Sequence, residues 1–147
     1  MSRRRNCGGV FLVAVLSMTG GSYRSDAWSS QRLFDVTTAH GVVDGAPVEP
    51  ADVFTPEESP IYVSYRCEGC TMGTVITSSW FHLDQEPPVR FAHGSVTVRT
   101  LEDFGEFHCE LGPGRRWPAG SYRIDLHLND ALAAQASFRI AIHTTRH

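Results

Sequence analysis

The stretch Ile61-Tyr62-Val63-Ser64-Tyr65-Arg66-Cys67 decides the fold. A β-strand turns successive side chains to opposite faces, so Ile61, Val63, Tyr65 and Cys67 share one face and Tyr62, Ser64 and Arg66 the other. The first set is apolar and bulky, which predicts a half-buried strand with Cys67 aimed at the core. Toward the C-terminus, Glu68-Gly69 to Met72-Gly73 reads as a turn. Residues 74–83 (TVITSSWFHL) then form a β-branched, aromatic strand with Trp80 near its far end.

The same period recurs downstream. Residues 89–91 and 95–99 are two short strand candidates around Ala92-His93-Gly94, and in residues 105–111 Phe107, Cys109 and Leu111 alternate with Glu106, His108 and Glu110. After the turn signals Gly112-Pro113-Gly114 and Pro118-Ala119-Gly120, Tyr122, Ile124, Leu126 and Leu128 alternate with Arg123, Asp125 and His127. Beyond Asn129-Asp130 the apolar phase resumes at Leu132, Ala134, Ala136, Phe138, Ile140 and Ile142, so the last two strands read as a hairpin.

Upstream, residues 33–39 form a first strand. The passage after it carries Pro47, Pro50, Pro56 and Pro60, a density that forbids a central strand and leaves an extended connection or an edge. Residues 28–53 are therefore an N-terminal strand plus this connection, and residues 54–147 the core of the domain. About seven short strands, each with one apolar face, must pair as two sheets to bury those faces. The expected fold is all-β, an antiparallel two-sheet sandwich of the immunoglobulin or fibronectin kind.

The N-terminus reads differently. Arg3, Arg4 and Arg5 precede the apolar run 10–18 (VFLVAVLSM), and Ser25-Asp26-Ala27 offers small residues at a cleavage site. This is the pattern of an export signal over residues 1–27, removed from the mature protein. The apolar run is about half of the roughly 20 residues that a spanning helix needs, so no membrane span is expected after cleavage. Cys7 precedes the apolar run, whereas a lipid-bearing cysteine follows it. The product is expected in the periplasm or outside the cell.

A chain of 147 residues, 41% hydrophobic and 20% charged, suits one globular domain. All 13 basic residues are Arg, which excludes Schiff-base catalysis, a phosphate-loop lysine and an SxxK acyl-enzyme site. The formal charge is −3, and loss of Arg3, Arg4, Arg5, Arg24 and Asp26 with the signal makes the remainder more acidic. Nucleic-acid backbones and anionic lipid surfaces demand the opposite sign.

Residues 54–140 resemble a domain of exported bacterial proteins, an immunoglobulin-like β-sandwich accessory module of unassigned function. The matching pieces are Phe54-Thr55-Pro56, Ile61-Tyr62-Val63, Gly73-Thr74 leading to Trp80, the run from Trp117 through Pro118, Ala119, Gly120, Ser121 and Tyr122 to Arg123, then Asn129-Asp130 and Phe138-Arg139-Ile140. The resemblance implies a sandwich without recognised catalytic residues, and it carries no functional residue over.

Once Cys7 is removed, three cysteines remain, enough for one disulfide and one free thiol. Cys67 and Cys109 both have the core phase, and closing the long loop between them would stabilise the fold by about 4 kcal/mol, so a Cys67–Cys109 bond is the first expectation. A Cys70–Cys109 bond is the alternative. Cys70 is otherwise a free or redox thiol. Cys67-Glu68-Gly69-Cys70 lies between strands, whereas a redox CxxC sits at a helix N-terminus that lowers its thiol pKa. Cys109 and His108 point to opposite faces, against a shared zinc site.

His40, His82, His93, His108, His127, His143 and His147 are scattered, and no nucleophile elbow, HExxH helix or phosphate loop is present. Neither a catalytic residue, nor a metal ligand, nor a cofactor is assigned. Trp117 and Tyr122 are candidates for an exposed aromatic contact, as interface anchors often are, against the alternative that both pack into the sandwich. The functional expectation is a non-enzymatic secreted or periplasmic interaction module whose partner is a protein or a cell-envelope component. The alternative is a thiol-based metal or redox protein using the CEGC segment.

Overall fold

A computed structural model describes residues 6–9, 31–100 and 103–142. The arginines at 3–5, the apolar run 10–18 and the small-residue step at 25–27 lie outside the described residues, as do His143 and His147. The described residues contain strands and no helix: β1 (Asn6–Gly9), β2 (Arg32–Val43), β3 (Ala46–Pro50), β4 (Val53–Phe54), β5 (Ile61–Glu68), β6 (Val75–His82), β7 (Val89–Thr97), β8 (Phe104–Glu110), β9 (Gly120–Leu128) and β10 (Ala131–Ile140).

They form two five-stranded sheets, ordered β1-β8-β5-β2-β3 and β4-β10-β9-β6-β7. Every pair is antiparallel except β10 with β4. The sheets stack face to face, with β2 against β10 and β1 against β7 at their borders. Their inner faces meet in a core of Ile61, Val63, Tyr65, Phe107, Trp80, Ile124 and Leu126, with Phe54, Phe138, Tyr122 and Trp117 filling one end. The alternation in residues 61–67 thus runs as the sequence requires: Ile61, Val63, Tyr65 and Cys67 are all buried.

Among the described residues ten strands stand where about seven were expected. β3 and β4 come from the proline-rich passage, and both lie at sheet edges, where a residue without an N–H costs no ladder bond. β1 covers the free side of β8 with Cys7 opposite Cys109 in backbone register. The two short strands expected at 89–91 and 95–99 are one strand, β7, with a register shift where Trp80 and Phe81 face it. Asn129 and Asp130 have φ of 47° and 79°, the double left-handed geometry of a type I′ hairpin turn.

Three expectations are corrected, the first being Ile142, which lies past the end of β10 and is 67% exposed rather than core-facing. Leu132 is 55% exposed rather than core-facing, because a register shift between Leu132 and Ala134 inserts an extra residue and reverses its phase. The expected Cys67–Cys109 bond is absent. The register of β5 against β8 sets Cys109 opposite Ile61, six residues along the strand from Cys67 or about 20 Å, whereas a disulfide requires Cα atoms within about 7 Å. Cys67 is bonded to Cys70, with Cα atoms 6.0 Å apart, and Cys109 is a free thiol with no exposure. Cys70 is therefore neither free nor paired with Cys109.

The shorter loop changes the energetics. A bond between residues three apart removes far less chain entropy than one spanning 42 positions, about 2 instead of about 4 kcal/mol. Cys70→Ser is accordingly expected to lower the unfolding free energy by about 2 kcal/mol, read from the shift of the urea midpoint. In the same native protein a thiol reagent should leave Cys109 unmodified, because its sulfur is enclosed by the core.

Candidate functional site

Four possible centres of chemistry follow from where the fold brings polar side chains together. The first is the CEGC segment, where β5 ends. Cys67 and Cys70 are both buried and joined, and Gly69, with φ of 77°, makes the tight bend that lets them meet. Because no helix begins there, no helix dipole lowers either thiol.

The second is the outer face of β8. Tyr62 sits opposite His108, their rings 5.2 Å apart, and Ser64 sits opposite Glu106. Burial pushes the His108 imidazole below its ordinary range, partly offset by the charge of Glu110, and its Nδ1 is enclosed without a partner among the described residues. Burial also holds the Glu106 carboxyl above the ordinary carboxylate range. The two act in opposite senses. As pH rises through the carboxylate range, the folded state is left holding a disfavoured Glu106 charge and loses stability; as pH falls through about 6.5, it must charge His108 or forgo that proton, and again loses stability. Glu106→Gln is expected to flatten only the first of these declines, seen as a smaller change in unfolding midpoint between about pH 4 and about pH 6.

The third is a row across the other sheet, in which His93, Ser79 and Asp125 are successive cross-strand neighbours. Serine activation needs the histidine between serine and acid, whereas here the serine is in the middle. Asp125 is also engaged already, accepting from Arg123 Nε and Gln135 Nε2, both at 2.9 Å. His93 is exposed at one end of the row, and what Asp125 does is tie β9 to β10 through Gln135.

The fourth is a cleft of about 210 Å³ at one end of the sandwich, where the end of β6, the start of β7 and the β8–β9 connection converge. Its apolar walls are Val89, Phe91, Leu111, Trp117 and Tyr122. Trp117 and Tyr122 are each only 2% exposed, so of the two readings of the sequence the one that packs both into the sandwich holds and the exposed aromatic contact is corrected. The reason is the rings around them. Tyr122 stacks on Phe138 at 4.9 Å and on His82 at 4.6 Å, and Trp117 meets Tyr122, Phe91 and Phe138 edge-on at 5.6 to 6.0 Å.

Their polar atoms are spent inside the fold. Trp117 Nε1 donates to the Glu58 carbonyl at 2.9 Å, and the Tyr122 hydroxyl donates to the Pro118 carbonyl. Burial, with the Asp84 charge nearby, pushes the Tyr122 phenol up to about 12. What remains available lies at the rim. Arg116 reaches Glu57 at 2.6 Å with one nitrogen, while Arg115 has no acidic partner among the described residues. Arg115, Arg116 and Phe91 were not singled out in the sequence, and His82 only as one of seven scattered histidines. The only signal was two cations beside Trp117, and the rest of the cleft comes from strands some 30 positions earlier.

Taken together, these features define a small all-β domain of two stacked sheets with an aromatic cleft rimmed by guanidinium groups. No protein-family model matches the chain, and no curated protein is significantly similar to it. Among solved structures, it is similar to Pseudomonas fluorescens alkylpurine DNA glycosylase AlkC bound to DNA containing an abasic site analog, at 11% identity over 75% of this chain and a TM-score of 0.45. The chain spans about 30% of the length of that protein, and a likeness so slight bears on neither fold subtype nor ligand.

Proposed function

We propose that the chain is a non-enzymatic binding module that acts outside the cytoplasm, built on an immunoglobulin-like sandwich and directed to a protein or cell-envelope partner. Strand order supports the sandwich subtype. β2, β5 and β8 take the places of strands A, B and E, and β6, β7, β9 and β10 those of C, C′, F and G. Two local features agree with it: fully buried Trp80 on the strand in place C, and Tyr122 at the start of that in place F, its hydroxyl bonded to the backbone four residues upstream. The cysteine bridge of antibody domains has no counterpart, since Ile124 stands two residues after Tyr122.

The observation that carries a binding role is the cleft, where a free guanidinium overhangs apolar walls. Removal of residues 1–27 on export would also strip away β1 and turn β8 into a sheet edge. The experiment has two arms. N-terminal sequencing of the protein recovered from a bacterial extracytoplasmic fraction is expected to begin near residue 28. Crosslinking in that fraction is expected to trap a partner with the native protein and not with the Arg115→Glu variant. An intact N-terminus, or equal trapping by both proteins, contradicts the proposal.

A second reading, a thiol redox protein, is favoured by one observation, the bond between Cys67 and Cys70. A redox pair equilibrates with a glutathione buffer at potentials near those of thiol oxidoreductases, and a structural bond stays oxidised there. Quantifying the alkylated thiols across such a buffer series separates the two.

A further inference from the structure

From the donors and charges left unspent in the cleft, we infer that its ligand is an apolar carboxylate: a hydrocarbon or aromatic body seated on Val89, Phe91 and Leu111 above the buried Trp117, with its carboxylate on Arg115. This rests on the binding-module reading and specifies its ligand. The walls dictate the apolar half. Trp117 and Tyr122 have committed their N–H and O–H groups to carbonyls of the fold, so they offer a ligand only carbon surface, as Val89, Phe91 and Leu111 do. Besides the two arginines, among the described residues only His82 and Gln85 bring polar groups to the lining, too few to satisfy a polar body that gives up its water.

The rim dictates the charge. Among the described residues no Asp or Glu lines the cleft, and the nearby Asp84 carboxylate accepts from the backbone N–H of Ser121 at 3.2 Å. Arg115 is exposed and free of acids among the described residues, and Arg116 has donors left beyond its bond to Glu57. A planar guanidinium beside an apolar slot matches a carboxylate carried a bond or two from a hydrophobic group. The volume of about 210 Å³ sets the size, since it lies below the usual range of small-molecule pockets and takes a body no larger than one side chain. Two sources supply this chemistry, a free aliphatic or aromatic acid and the last residue of a polypeptide ending in an apolar side chain.

The test is titration of the chain, watched by the amide and indole N–H signals in two-dimensional NMR spectra. The ligands are hydrocinnamate, N-acetylleucine, an acetylated Gly-Gly-Leu peptide and the amides of all three. An acid of this size is expected to bind with about millimolar affinity, with shifts centred on Val89 and Phe91 and reaching the Trp117 indole behind them. The amides and the Arg115→Ala variant should bind about tenfold more weakly, the loss of one charge-assisted contact. Arg115→Lys should fall between. Arg115 is at the surface, and an unchanged melting curve confirms that the variant folds. Saturation by the peptide and not by the free acids assigns the site to chain termini, and the reverse assigns it to small acids. Equal affinity of acid and amide, an unaffected Arg115→Ala variant, or no saturable shift overturns the inference. If partner trapping still depends on Arg115 in that event, the binding module stands and only the ligand class falls.

Discussion

Trp117→Ala is expected to lower the unfolding free energy by about 3–5 kcal/mol, the largest effect of any single truncation at the cleft. The indole is 2% exposed, contacts three aromatic rings, and holds down the 55–59 segment through two hydrogen bonds, its Nε1 to Glu58 and its backbone N–H to Pro56. Alanine removes the ring contacts, leaves a cavity and strands the Glu58 carbonyl. Since a domain of this size has about 5–15 kcal/mol in total, the variant should be partly unfolded at physiological temperature. A surface anchor would behave otherwise, changing stability by less than about 0.5 kcal/mol. Urea unfolding distinguishes the two. The midpoint should drop with an unchanged slope, and Trp117→Phe, which keeps most of the ring contact and loses the hydrogen bond, should recover more than half of the loss.

The second large effect is expected where the structure leaves no room for a side chain. Gly105 on β8 faces Tyr65 on β5, and a Cβ there would collide with the Tyr65 hydroxyl and ring. Tyr65 is buried, so the ring cannot swing into solvent to make way. Gly105→Ala is therefore expected to cost about 1–3 kcal/mol by overpacking, even though alanine alone suits a strand better than glycine. The double variant Gly105→Ala with Tyr65→Leu separates collision from any backbone effect. If the ring is the cause, alanine at 105 costs almost nothing in the presence of leucine at 65, a coupling that additive sites do not show.

How much of this was legible in the sequence follows from the range of each signal. Alternation is local, so the strand of residues 61–67 and the hairpin at Asn129-Asp130 could be read directly. The edge character of the proline-rich passage is also local, because proline lacks the N–H that a central ladder needs. Leu132 was misplaced because a single inserted residue reverses a two-residue period, and nothing in an alanine-rich run marks the insertion.

Register between strands is a property of pairs, and the phase of one strand cannot supply it. Cys67 and Cys109 share a phase and still lie at opposite ends of their pair. The same holds for the cleft. Trp117 and Tyr122 were noticed for their type, but whether an aromatic is exposed depends on what the fold lays over it, here Phe91, His82 and Phe138. Arg115 gained its significance only from the absence of an acid nearby, and absences of that kind are not written in a sequence.

The register of β5 against β8 underlies both the core and the sulfur chemistry, and peptide mapping without reduction tests it most directly. After alkylation of free thiols in denaturant, where the enclosed Cys109 becomes accessible, and digestion at arginine, the fragment of residues 67–90 is expected to be unalkylated and two hydrogens lighter than its dithiol form. The fragment of residues 100–115 is expected to carry one alkyl group on Cys109. A crosslinked pair of these fragments, joining Cys67 to Cys109, would require the two strands to slide by six residues and would contradict the sheet on which the account is built.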